Sequence, residues 1–197
     1  MLAKQLPAGD TKTRIVEKIV RQTFRASEIV NSLLNFSRTK ATTYSPLEIN
    51  KIVSETLLLL EHQFKTAGIA VESRLGANLP PISGSSDKLQ QVFFNLFLNA
   101  KDAMPSGGRL RVATLAEDSV VRVEVSDTGV GIPPQHLHRI YDPFFTTKGS
   151  GRGTGLGLAV SYGIIQEHSG KIQVESRPGW GTRFCLEFPV LKQAVHA

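Results

Sequence analysis

The chain has one cysteine, Cys185, among 197 residues. That excludes an internal disulfide and fits a reducing compartment. No apolar run approaches the roughly 20 residues that a membrane helix needs. The opening Met-Leu-Ala-Lys-Gln-Leu-Pro is too short and too polar for a signal peptide. No internal repeat or low-complexity tract is evident. These absences predict a soluble, cytoplasmic segment that makes no membrane contact of its own, with any anchor lying upstream.

What is present is a real core. Hydrophobic residues make up 41% of the chain, and the length suits one domain with a small appendage. The net charge of +6 raises nucleic acid as a ligand, but its placement argues against that. Residues 1–40 carry 8 Lys/Arg against 3 Asp/Glu, and the other 157 residues are nearly neutral. The excess belongs to one amphipathic helix, predicted from about Thr11 to Thr39, and is best read as a solvated face. An acidic protein partner docking along it is the other option.

The predicted division is 1–41, the long helix and linker, and 42–197, a compact α/β domain, with Thr42 to Pro46 as connector because Pro46 disfavours helix at Ser45. In the second part Asn50 caps a helix to Lys65 with Leu57, Leu58, Leu60 and Phe64 inward. Ile69 to Leu75 alternates as a strand. A helix runs from Ser85-Ser86-Asp87 to Met104, stopped by Pro105 and Gly107-Gly108. Strands follow at Leu110–Leu115 and Val120–Val125, then a Gly-rich stretch. A helix from Leu156 to His168 comes next, and a hairpin turning at Pro178-Gly179 ends the domain. Strict βαβ alternation is lacking. The expected fold is an α/β (α+β) two-layer sandwich, with a mixed, mostly antiparallel sheet covered on one face by about three helices and preceded by one long helix.

Three stretches carry chemistry. In QQVFFNLFLNAKDAM, residues 90–104, Asn95 and Asn99 lie four apart and Asp102 three further on. They form a polar stripe beside an apolar face. Asn is a mediocre helix former. This pair either satisfies buried backbone groups or offers oxygens to a hard cation such as Mg²⁺. In SDTGVGIPP, residues 126–134, Asp127 ends a strand, and Gly129 and Gly131 permit close backbone approach. A carboxylate there could accept the exocyclic amine of adenine, or the segment is simply a turn. In YDPFFTTKGSGRGTGLGLAV, residues 141–160, Gly151, Gly153, Gly155 and Gly157 lead into a helix N-terminus, a natural anion site. Lys148 and Arg152 add positive charge, and the segment could close as a lid or be a solvent loop. It is neither a Walker A loop, lacking Gly-Lys-Ser/Thr, nor a Rossmann fingerprint.

The ordered series N-x-x-x-N-A-x-D-A, D-x-G-x-G-I-P, P-F-F-T-T-K and G-T-G-L-G-L resembles the ATP-binding domain of bacterial sensor histidine kinases, nitrogen-regulation type. That domain belongs to the superfamily of gyrase, heat-shock chaperones and mismatch-repair ATPases. The resemblance covers roughly residues 46–190. It implies that Asn99 holds Mg²⁺ between the ATP phosphates, with Asn95 and Asp102 nearby. It implies that Asp127 binds the adenine amine and that Gly129, Gly131 and Ile132 line the base. Thr146, Thr147 and Lys148 would belong to a lid, and Gly153, Thr154, Gly155, Leu156 and Gly157 would wrap the phosphates. Lys148 and Arg152 would stabilise phosphoryl charge. Tyr141-Asp142 stands where Phe-Glu is usual, and His168-Ser169-Gly170 where His-Gly-Gly is common. Asn95 takes the place of the general-base glutamate of the ATPase branch, which predicts slow unassisted hydrolysis.

In that family the phosphoacceptor histidine opens a His-Glu-x-x-Asn-Pro motif. None of His62, His136, His138, His168 and His196 fits it, and each is expected to be a surface or packing residue. RASEIVNSLLNFSR, residues 25–38, resembles the second helix of the family's dimerisation hairpin. The expectation is a catalytic fragment that phosphorylates a histidine absent from this chain, for relay to a response-regulator receiver domain. The full-length protein is expected to be a homodimer, and nucleic acid is not expected as a partner. The apolar stripe of the first helix should find a substitute partner. The rival readings are a serine kinase or ATPase of the same superfamily, or a non-catalytic nucleotide-gated interaction module.

Overall fold

A computed structural model describes residues 44–148 and 153–191. The predicted first helix lies outside the described residues. So do Arg152, Gly151 and His196. The described residues fall into two units, one of 44–141 with 157–191 and the other of 142–148 with 153–156. Each is taken by itself.

The larger unit runs β1 (Ser45–Leu47), α1 (Ile49–Thr66), β2 (Ile69–Leu75), β3 (Ile82–Gly84), α2 (Ser86–Ala103), β4 (Gly108–Glu117), β5 (Val120–Asp127), a four-residue α3 (Pro134–Leu137), α4 (Gly157–Glu167), β6 (Lys171–Arg177) and β7 (Gly181–Pro189). The main sheet has the order β2-β4-β5-β7-β6. Only β2 and β4 are parallel, and the other neighbours are antiparallel. β1 and β3 form a separate antiparallel pair, joined to the end of β7 through an Ile82–Val190 bridge. The predicted mixed, mostly antiparallel sandwich is the observed fold. No helix among the described residues is long and apolar enough to cross a membrane.

Period-two alternation explains the sheet. Val121, Val123 and Val125 of β5 and Phe184, Leu186 and Phe188 of β7 are buried on the inner face. The outer face carries ion pairs such as Arg122–Glu187 at 2.8 Å and Arg111–Glu72 at 2.9 Å. The exposed Arg111–Glu72 pair contributes little stability. α1, α2 and α4 supply the other layer. α2 is central to it, burying Leu89, Val92, Phe93, Leu96, Phe97 and Ala100 at helical spacing.

Three local expectations are corrected. Asn50 is not the cap of α1, since the helix starts at Ile49 and Glu48 holds the cap position. The Asn50 amide instead donates to Gly76 O at 2.8 Å and accepts from Thr114 Oγ1 at 2.7 Å, fastening the chain after β2. Leu58 does not point inward and is 71% exposed. At about 100° per residue it lies some 200° from the buried Leu60, on the opposite face. Ser45 and Pro46 are not a free connector but pair with β3. A proline is tolerated there because the strand is short and at an edge.

Candidate functional site

The strand alternation that buries Val121, Val123 and Val125 delivers a fourth residue, Asp127, to the same face. A carboxylate thus sits at the end of an apolar row, only 8% exposed. Its Oδ1 accepts the Gly129 N–H at 2.8 Å. The Thr182 N–H also reaches it, from the residue paired with Asp127 across the β5–β7 ladder. Burial raises the Asp127 pKa above the usual carboxylate value, and the two N–H groups oppose that shift.

The following loop is held on two sides. Gly129 lies so close to the end of α2 that a Cβ would stand 2.5 Å from Ala103 O, and the Val130 N–H donates to that carbonyl at 2.9 Å. Gly131 has φ +71°, and a side chain there would run into the Arg177 carbonyl. The Ile132 N–H donates to Ser176 Oγ at 2.7 Å and the Gly179 N–H to Val130 O at 2.8 Å. The D-T-G-V-G-I segment is therefore a built loop, fixed to α2 and to the β6–β7 hairpin.

On α2, Asn95 and Asn99 share a stripe one turn apart, both partly buried. Asp102 is exposed and lies 3.8 Å from Lys101 Nζ. The Asn95 amide donates to Gly157 O at 3.1 Å and to Ser161 Oγ at 3.3 Å. Ser161 Oγ donates to the same Gly157 carbonyl at 2.8 Å. Asn95 is thus tied to the first turn of α4, and a Cβ on Gly157 would make only ordinary van der Waals contact with it, 3.6 Å from Asn95 Cγ. Of the two readings of the amide pair left open by the sequence, Asn95 fits the first, satisfying a backbone carbonyl. Among the described residues no three His, Cys, Asp or Glu side chains gather as a metal group.

The smaller unit contains the remaining predicted residues except Gly157, which opens α4, and Arg152. Phe144 takes φ +67°, and the Phe145 N–H donates to Asp142 O at 3.2 Å. The Lys148 N–H donates to Thr146 Oγ1 at 3.2 Å. Gly153 packs by these residues, its Cβ position 3.1 Å from Thr146 Oγ1 and 3.3 Å from Lys148 Cδ. Gly155 has φ +68°, and a side chain would meet the Phe144 backbone. The Leu156 N–H donates to Thr154 Oγ1 at 3.3 Å. The P-F-F-T-T-K run and the G-T-G-L run therefore fold against one another, and Thr147 is exposed.

Comparison with known proteins shows the family of the chain. Residues 84–192 match the family model described as "Histidine kinase-, DNA gyrase B-, and HSP90-like ATPase". The chain belongs to that family. Within it the resemblance is to sensor histidine kinases. The chain is 36% identical over 176 residues to the signal transduction histidine-protein kinase AtoS of Escherichia coli (strain K12), covering 89% of this chain and 29% of AtoS. The catalytic domain of histidine kinase ThkA superposes with a TM-score of 0.68 at 30% identity, over 75% of this chain and 96% of that domain. ThkA in complex with the response regulator TrrA gives a TM-score of 0.77 at 26% identity, over 95% of this chain and 54% of that chain. The chain thus spans under a third of AtoS.

Two residues of the site escaped the sequence reading. Thr182 is buried opposite Asp127. Ser176 links Ile132 to the hairpin and donates to Gly181 O at 2.9 Å. A signal existed for Thr182: it is the one polar residue on the inner face of a strand otherwise carrying Phe184, Leu186 and Phe188 there.

Proposed function

We propose that this chain is the ATP-binding catalytic part of a two-component sensor histidine kinase. The observation that carries the reading is the buried Asp127 carboxylate, held by two main-chain N–H groups at the mouth of a glycine loop built onto α2. A base with an exocyclic amine meets there an acceptor that is already oriented and partly desolvated, so little reorganisation is required. Gly129, Gly131 and Ile132 would line the base. Asn99, one turn beyond the structurally engaged Asn95, is the residue that would hold Mg²⁺. A single amide oxygen suits an ion that takes most of its ligands from phosphates and water. When bound, Mg²⁺ would neutralise phosphate charge. Asp102 would lie beside the site. Thr146, Thr147, Lys148, Gly153, Thr154, Gly155, Leu156 and Gly157 are assigned to the phosphate tail, with Lys148 and Arg152 offsetting charge.

The γ-phosphoryl would move to an imidazole nitrogen of a histidine outside this chain. The bond from the β–γ bridging oxygen to phosphorus breaks and its electron pair stays with ADP. A nitrogen–phosphorus bond forms, and the imidazole proton leaves to a base beside that histidine. Such transfer depends mainly on positioning and electrostatics. The amide at Asn95 cannot deprotonate water, which favours the kinase over the ATPase branch. The likeness to ThkA bound to a response regulator supports a receiver domain as the next acceptor. We place this activity in the cytoplasm, within a homodimer of the full-length protein, and divide the chain into 1–41 and 42–197.

The test mixes this chain with labelled ATP and a protein carrying the histidine helix of a related kinase. Acid-labile, alkali-stable label on the second protein is expected. Acid-stable label, or none while ATP binds, would overturn the kinase reading.

A further inference from the structure

His168, just after α4, is 3% exposed and held at both ring nitrogens. Nδ1 lies 2.7 Å from Ile164 O, so Nδ1 carries the proton. Nε2 is then an acceptor and receives the Ser85 N–H at 3.0 Å. Ser85 is the residue from which α2 starts. The contact is tight: a Cβ on Gly84 would stand 2.5 Å from the ring. Tyr44 packs on the imidazole with centroids 5.1 Å apart, and its hydroxyl donates to Glu167 O at 3.0 Å. Lys88 of α2 pairs with Glu167 of α4 at 2.6 Å beside it.

The two site helices are therefore joined at two places. Near the site, Asn95 of α2 meets Gly157 and Ser161 of α4. At the far end, the start of α2 meets the end of α4 through His168. Ten residues separate Ser85 from Asn95, roughly 15 Å of helix. With its start and its middle both tied, α2 can neither tilt nor slide against α4 without breaking one of these part-buried hydrogen bonds.

We propose that His168 is a positioning residue for the nucleotide site, its neutral Nδ1–H tautomer holding α2 in the register that sets Asn95 and Asn99 against the start of α4. The proposal rests on the nucleotide-binding reading above. The Nδ1 bond stays within the end of α4 and serves to fix the tautomer. The Nε2 bond crosses between elements and carries the effect. Protonation would place a second N–H against the Ser85 N–H and remove that acceptor. Among the described residues, Lys88, Glu167 and the Tyr44 hydroxyl are the charged and titratable groups around the ring. Burial and Lys88 favour its neutral form, while the Ile164 carbonyl and Glu167 favour the cation.

The experiment measures Mg²⁺·ATP affinity of the whole chain between pH 5 and 8, with thermal melts as a folding check. It compares wild type, His168→Ala, His168→Gln, His168→Asn and Gly84→Ala. Glutamine can present an acceptor where Nε2 stood, whereas asparagine reaches only the Nδ1 position. Loss of one hydrogen bond predicts about three- to tenfold weaker binding for His168→Ala and His168→Asn. His168→Gln should recover most of the affinity, and Gly84→Ala should weaken it. The ratio of wild-type to His168→Gln affinity, in which titration of the phosphates cancels, should fall toward acid pH. Folded His168→Ala with wild-type affinity would overturn the proposal. So would equal losses in the Gln and Asn variants, which are compared directly if His168→Ala fails to fold. A wild-type chain that binds no nucleotide overturns the function reading itself, and the proposal with it.

Discussion

The side-chain amide of Asn95 donates to the carbonyl oxygen of Gly157, 3.1 Å away, and so ties α2 to the first turn of α4. Asn95→Ala removes this bond but leaves Gly157 O its bond from Ser161. The expected loss is about 1 kcal/mol. Asn95→Asp puts a carboxylate against a carbonyl oxygen with no proton to share, and should cost about 1–3 kcal/mol at neutral pH. Denaturant midpoints check both, and an Asp variant as stable as wild type would contradict the assigned geometry.

On the proposed function, Asp127 trades stability for recognition. Its folded-state pKa is raised, chiefly by burial. The stabilisation from this shift is full below the ordinary carboxylate pKa and is lost as pH rises through the raised value. Asp127→Asn removes the charge. Its stability relative to wild type should therefore improve between pH 3 and pH 7, while nucleotide binding is lost. Denaturation at the two pH values and a nucleotide titration test this. A relative stability that falls with rising pH would refute the sign.

Leu58 and Leu60 separate what hydrophobic patterning can tell from what it cannot. The run Leu57 to Leu60 marks a helix, but four consecutive leucines do not identify the inner face. The structure buries Leu60 completely and leaves Leu58 and Leu59 exposed. Leu60→Ala should cost about 2–5 kcal/mol. Leu58→Gln should change stability by no more than about 0.5 kcal/mol. A large loss from Leu58→Gln would show that face to be covered.

Tyr141 has a buried hydroxyl with no hydrogen-bond partner among the described residues. Its ring lies 5.0 Å from that of Tyr162. Burial, and then the neighbouring tyrosine, push its pKa up to about 12. Tyr141→Phe removes an unsatisfied polar atom and should raise stability by about 1 kcal/mol. In an absorbance titration it should also remove the ionisation at about pH 12. Loss of stability would reveal a partner for the hydroxyl.

The elements most legible in the sequence were those whose periodicity and stop signals agreed. α2, with its two-sided stripe and Pro105 stop, β5 with its alternating valines, and the β6–β7 hairpin lie where expected. The family was legible because four motifs follow one another in a fixed order, although each motif alone also reads as a plain turn or loop. β1 and β3 escaped because three-residue strands have no period to read. The cross-links of Asn50, Asn95 and His168 escaped because each joins residues 26 to 83 positions apart, a separation that only the fold brings together.

The central claim is that this chain binds ATP with a magnesium ion held by Asn99. The direct measurement is a calorimetric ATP titration of wild type and Asn99→Ala, each with Mg²⁺ and with chelator. The account predicts saturable, Mg²⁺-dependent binding by wild type and none by a folded Asn99→Ala. Wild-type affinity in Asn99→Ala, or no saturable binding by wild type, would contradict it.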